Sequence, residues 1–340
     1  MMFDEIKRYF EEKKIPKFRF KQFEDAYFKQ CITSFDEITT FPKNLREDLS
    51  KNFSSLSTLV LVESHRAGDT VKFVFKTKDS NFVEAVLMLH NDMRRTVCVS
   101  CQVFCAVGCK FCATGANQFK RSLTVDEIVE QVMFVARYLK HQDERVSNVV
   151  FMGMGEPFLT YDSVVGAIEI LNDKDKLNIG ARHITVSTSG IVPKIYDYAN
   201  LPYQCRLAIS LHAPNDKLRS ELMPINIKYP LAELMKACDY FVEKTNKRVS
   251  YEYVLIDNVN DSLIHAKQLA TLLKGKLAHV NLLIYNPHEF SNFKRPDYSK
   301  VKAFKKILDE EGIENSIRKS MGDDISGACG QLSGKQLKKK

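Results

Sequence analysis

No stretch of this chain is apolar for long enough to span a membrane. No internal repeat is visible, and low complexity is confined to a basic tail, Lys335-Gln-Leu-Lys-Lys-Lys340, so a solenoid or a long disordered linker is not expected. The first residues, Met-Met-Phe-Asp-Glu, are acidic and too polar for a secretory signal, which points to the cytoplasm. A disulfide framework is not expected either: nine cysteines is an odd number, and a chain of 340 residues needs no staples. Neither sign of charge dominates. Fifty basic against 42 acidic residues leave a net +8, an excess that suits a polyanionic partner without demanding one. With 44% hydrophobic and 27% charged residues the composition is that of a globular protein. The length allows one large α/β-barrel domain and a small accessory one.

The periodicities divide the chain. Residues 1–75 read as a helical module followed by linking strands. Phe3, Ile6, Tyr9 and Phe10 fall at helical spacing and predict one buried face. Lys13-Lys-Ile-Pro-Lys-Phe-Arg-Phe-Lys21 interleaves five basic residues with aromatics. Such a stretch can grip phosphates and stack bases. Equally, Phe18 and Phe20 can be core and the lysines merely solvated. Residues 71–89 alternate as strands, and from Thr96 onward strand and helix repeat. Strands are predicted at 96–103, 148–154, 183–189, 206–212, 250–256, 279–285 and 315–319. Thr124-Val-Asp-Glu127 is a capping box opening a long helix, and further helices are expected near 161–172, 230–245, 261–274 and 299–311, the last stopped by Gly312. Alternation of this kind implies a parallel sheet, whose chemistry gathers where strand C-termini end.

Five cysteines crowd into residues 98–112: Cys98, Cys101, Cys105, Cys109 and Cys112. Core packing does not call for that density. The last three stand at C-x3-C-x2-C spacing around Gly108, so one tight loop can aim three thiolates at a single centre. Iron–sulfur clusters normally take four cysteines, and three would leave one iron open. A zinc knuckle built on the pairs Cys98/Cys101 and Cys109/Cys112 is the alternative; it leaves an unusually short connection and orphans Cys105.

Polar groups also sit at the predicted strand ends: Gly153, Gly155 and Glu156, then Ser187, the Ser210-Leu211-His212 segment, and Asn286. The glycines can admit a ligand against the backbone or simply make a tight turn. Taken singly, each polar residue is more often a satisfied group than a ligand. Cys329 lies far along the chain among small residues, an accessible position that suits a reactive thiol as well as an ordinary surface one.

The loop Cys105-Ala-Val-Gly-Cys109-Lys-Phe-Cys112-Ala-Thr-Gly resembles the cluster loop of radical S-adenosylmethionine (SAM) enzymes, and Cys-Val-Ser-x-Gln ahead of it resembles the RlmN branch, the RNA adenine-C2 methyltransferases. The likeness continues through Met152-Gly-Met-Gly-Glu-Pro157, Ser187-Thr-Ser-Gly190, Ser210-Leu-His-Ala-Pro-Asn215, Met223-Pro-Ile-Asn226, Tyr285-Asn-Pro287 and Gly322-Asp-Asp-Ile-Ser-Gly-Ala-Cys-Gly-Gln331. It implies a partial (β/α)6 barrel spanning 76–334, an RNA-contacting accessory domain over 1–75 and the tail 335–340. It implies a [4Fe-4S] cluster on Cys105, Cys109 and Cys112, with SAM bound by Gly155, Glu156, Ser187, Ser210, Leu211, His212 and Asn286 and used twice per turnover. The methyl would pass through Cys329, with Cys98 resolving the intermediate by a transient disulfide and Glu84 as base. The implied substrates are 23S rRNA in the peptidyl-transferase region and position-37 adenosine of tRNA, with an electron donor such as flavodoxin and a monomeric enzyme. A sister branch, which methylates C8 of adenosine and confers antibiotic resistance, usually has alanine where this chain has Pro157. A zinc-stabilised RNA-binding protein without catalysis is the reading from another class. Some positions depart from the family pattern: Phe104 stands for an expected glycine and Cys101 for a serine. Ser326 and Gly327 also differ, and Glu84 lies one residue farther from Cys98 than expected.

Overall fold

The computed structural model describes residues 2–334; the basic tail 335–340 lies outside them. Three helices come first, α1 (Met2–Glu12), α2 (Lys17–Phe28) and α3 (Lys43–Asn52). Phe3 packs on Phe23, Tyr27 and Phe28, and Ile6 and Phe10 are buried, as the spacing in α1 predicts. The three helices share one continuous apolar core with the rest of the chain.

The sheet then begins with an antiparallel meander, β1 (Leu59–Ala67), β2 (Thr70–Thr77), β3 (Phe82–Leu89) and β4 (Arg95–Cys98). A small hairpin, β5 (Gln102–Val103) with β6 (Arg121–Ser122), brackets the cysteine loop. Strands and helices alternate from there: α4 (Val125–Lys140), β7 (Asn148–Phe151), α5 (Tyr161–Asn172), β8 (Ile184–Thr188), α6 (Val192–Ala199) and β9 (Arg206–Ser210). After α7 (Asp216–Leu222), α8 (Ile225–Lys228) and α9 (Leu231–Thr245) come β10 (Val249–Leu255), α10 (Leu263–Leu273), β11 (Ala278–Ile284), α11 (Tyr298–Glu310) and β12 (Asn315–Arg318). The order across the sheet is β1-β2-β3-β4-β7-β8-β9-β10-β11-β12, parallel from β4 to β12. Six strand–helix–strand crossovers therefore build an open, partial barrel.

Local chemistry explains the key elements. Thr124 and Glu127 form both halves of the capping box that opens α4, and Gly312, at φ +71°, ends α11. Helix α4 also docks the N-terminal helices: the Tyr27 hydroxyl donates to Glu130 at 2.5 Å, and Arg137 pairs with Glu130 at 2.7 Å. Among the described residues no helix is long and apolar enough to cross a membrane.

Candidate active site

The cysteine loop leaves β4 at Cys98 and is held from three sides. The Lys110 amide donates to Leu222 at the end of α7. The Phe111 carbonyl oxygen lies 3.1 Å from His288 Nε2, and the Phe111 ring meets His212 edge-on at 4.8 Å. Gly108 bends the loop at φ +71°, and Phe104 holds the left-handed conformation at φ +62°, which is why a glycine fits that position. The amides of Val107 and Gly108 point at the Cys105 sulfur. Burial pushes the Cys105 thiol up to about 12 and the Cys109 thiol well above its usual range, so ionisation requires a bound positive charge. Cys101 is buried in the core beneath the loop.

The glycines after β7 serve packing. A Cβ on Gly153 would lie 2.7 Å from the Val99 carbonyl oxygen, and one on Gly155 (φ +106°) 2.6 Å from Gln102. Protein atoms already occupy the space a Cβ would need at either position. Glu156 is buried and accepts from the Thr188 hydroxyl at 2.6 Å and the amides of Ser189 and Phe158 at 2.7 and 3.0 Å. Burial raises its carboxyl above the usual range, and these donors counter the rise.

A polar row crosses the inner face of the sheet. Ser187 and Ser210 lie 3.4 Å apart through their hydroxyls, and Ser210, Glu252, Asn281 and Ser316 stand in register on β9 to β12. Asn281 donates to Glu252 at 2.7 Å. Leu211 is fully buried with its amide on the Glu252 carbonyl oxygen. His212 has φ +58°, and its Nδ1 accepts from the Val254 amide at 3.0 Å, so the neutral ring keeps its proton on Nε2. Burial and Arg219 lower its pKa to about 3.

The C-terminal segment 322–334 brings Cys329 to this polar row, beside Glu252. Asn286 donates to the Cys329 carbonyl oxygen at 3.3 Å, and Ala113 donates to that of Gly330. Thr114 donates to Leu332 at 2.6 Å, and Gln331 to Pro287 at 3.1 Å. The Cys329 side chain reaches solvent, while burial by this surround, with Cys112, Cys98 and Glu252 as electrostatic neighbours, pushes its thiol up to about 12. Glu84, on β3, is buried; its Oε1 accepts from the Gly334 amide at 3.0 Å and its Oε2 lies 3.7 Å from Lys72. Val86 of β3 pairs with both Lys72 and Cys98, which puts Lys72, Glu84, Val86 and Cys98 on one face. All nine cysteines are free, so the Cys98–Cys329 disulfide implied by the resemblance is not a structural bond of this fold.

The model of the radical SAM superfamily matches residues 99–270. Probable dual-specificity RNA methyltransferases RlmN of Staphylococcus aureus and Geobacillus kaustophilus are 44% and 45% identical to this chain, covering 99% and 98% of it and 92% of each relative. A radical SAM methyltransferase from Sphaerobacter thermophilus, 45% identical, superposes over 98% of both chains with a TM-score of 0.94. This chain belongs to the RlmN family. It is a SAM-dependent RNA methyltransferase whose cofactors are SAM and a [4Fe-4S] cluster.

The donor set fits that cluster. Cys105, Cys109 and Cys112 are mutual electrostatic neighbours on one bent loop. Sequence reasoning missed three residues of the site. Arg219 is wholly buried and donates to the carbonyl oxygens of Ser189 (2.6 Å), Ser210 (3.1 Å) and Leu211 (3.2 Å) and to Asn226 (2.8 Å). The N-cap Asn215, which accepts from Leu218, was the available sign of its helix. Lys72 and Glu252 each occupy strand positions whose alternation gives no hint that a charge points inward.

Proposed function

We propose that this enzyme methylates C2 of adenosine in 23S rRNA and tRNA by way of a methyl group carried on Cys329. The observation that supports this reading most is the placement of Cys329, an exposed thiol held by Asn286 beside Cys112 and Cys98 from a remote part of the chain. Adenine C2 is an electron-poor aromatic carbon with no lone pair to attack a sulfonium methyl, so polar transfer directly from SAM fails there. When bound, the cluster and SAM supply reductive cleavage of the sulfonium and with it hydrogen-atom abstraction. Cys105, Cys109 and Cys112 hold the cluster. Glu156 receives the methionyl ammonium, while Gly155, Ser187, Ser210, Leu211, His212 and Asn286 line the rest of the SAM site, His212 offering its neutral Nε2–H.

Cys329 bridges SAM and RNA. Once its methyl carbon is joined to the base, the Cys98 thiolate attacks the Cys329 sulfur. The S–S bond forms, the bond from Cys329 sulfur to carbon breaks, and the electron pair left on that carbon takes up a proton to complete the methyl group. Glu84 takes the proton lost from the base. The target adenine must leave its stack, at a cost of a few kcal/mol, least in a loop. Residues 1–75 form the RNA-contacting module, with Lys13–Lys21 on phosphates and bases. The enzyme works as a cytoplasmic monomer with a flavodoxin-like electron donor. Pro157 supports C2 over C8 as the target.

Mass spectrometry of digested RNA from cells with and without the protein tests the reading. C2-methyladenosine in both RNAs is expected; C8-methyladenosine would overturn the assigned carbon, and no difference would overturn the activity. Cys329→Ala is expected to abolish turnover while iron and sulfide stay at parental levels.

A further inference from the structure

The proposed chemistry gives no role to a buried lysine on β2. Lys72 is 1% exposed, in the middle of β2. Its Nζ lies 3.7 Å from Oε2 of Glu84 and donates to the Ser326 carbonyl oxygen at 3.3 Å. Glu84 in turn holds the Gly334 amide through Oε1. Ser326 and Gly334 flank Cys329 on either side, so one ion pair grips the thiol-bearing segment at both ends. A buried lysine and carboxylate are costly to desolvate, and apolar packing would serve stability as well. The pairing therefore calls for a functional reason.

Resting on the reading of Glu84 as the base, we propose that Lys72 is its positioning residue: the ammonium keeps the Glu84 carboxylate ionised and aimed at the substrate carbon, and registers it against Cys329. Lys72 transfers nothing itself; the proton moves from the base to a Glu84 oxygen. Burial raises the Glu84 carboxyl and the Lys72 charge opposes that rise, so without Lys72 burial acts unopposed. The other groups facing the pair are Glu63 of β1, which acts on Lys72, and the Cys98 thiol of β4; the C-terminal segment brings the backbone amides of Ser333 and Gly334.

The test uses anaerobically reconstituted holoenzyme and a synthetic RNA hairpin under single turnover, following the covalent protein–RNA adduct and its resolution from neutral to alkaline pH. Lys72→Met is expected to form the adduct at the parental rate and to resolve it slowly at neutral pH, with the acidic limb displaced upward by about one unit or more. Lys72→Gln, which keeps a donor for the Ser326 carbonyl oxygen and hence the fold, should show the same displacement, and Lys72→Arg should restore the parental limb. A Gln variant whose limb is unmoved, whether its rate is parental or uniformly lowered, overturns the proposal. Glu84→Gln separates this from failure of the underlying reading: it should accumulate adduct at every pH, and normal resolution there would remove Glu84 as the base.

Discussion

Asn286 donates its side-chain amide to the carbonyl oxygen of Cys329 at 3.3 Å while accepting from Arg295 at 3.2 Å. The end of β11 is thus fixed to the loop that presents the thiol. Asn286→Ala removes both bonds from a buried site, worth about 1–3 kcal/mol. Turnover is expected to fall roughly tenfold or more, by that same energy, with iron and sulfide contents unchanged; single-turnover methylation and metal analysis check it.

Arg219 ties three backbone carbonyl oxygens at the ends of β8 and β9 to Asn226. Arg219→Met leaves those acceptors buried and unpaired. A loss of about 3–5 kcal/mol is expected, read as a lowered denaturant midpoint.

His212 gives a pH dependence of known sign. Its folded pKa, about 3, lies below the ordinary 6.5, so the unfolded chain binds the extra proton first. Stability from this group is complete above pH 6.5 and drains away as pH falls toward 3. Near pH 5 the loss should be about 2 kcal/mol. His212→Asn, compatible with φ +58°, should lack that slope in denaturant titrations at the two pH values.

Phe18 and Phe20 separate the two readings of the basic–aromatic stretch. Phe18 is 57% exposed with Arg19 stacked on it at 4.9 Å, whereas Phe20 packs on Phe10 and Phe23. Phe18→Ala should weaken RNA binding by about 1–3 kcal/mol without changing the melting temperature. Phe20→Ala should lower the melting temperature instead. Filter binding and thermal melts distinguish them.

The alternation of strand and helix, the capping box at Thr124 and the cysteine spacing were legible because each is a local pattern. The predicted strands ran past the true ends at Phe151 and Ser210 because Met152, Met154 and Leu211 continue the apolar pattern after the ladder stops, and past Thr188 by the single residue Ser189. Those overruns are the site loops. Helices α6, α7 and α8 were missed because they are too short to show a period. That Gly153 and Gly155 must be glycine was not legible, because spacing does not show that Val99 and Gln102 lie where a Cβ would go. The path of residues 322–334 carries no period at all. Gly322, Ser326, Gly330 and Gly334 all take positive φ, and the segment is placed by partners such as Glu84 and Thr114, remote in sequence.

Joining Ser326 to Lys72 and Gly334 to Glu84 closes two of the longest loops the chain can make, and the entropy of such closures is repaid only once the intervening sheet exists. The segment that carries Cys329 is therefore a late arrival in folding. It is anchored by a few polar bonds and by Leu332 packed with Val86 and Met154, against the full ladders that hold β8 and β9, so amide exchange there should outpace theirs.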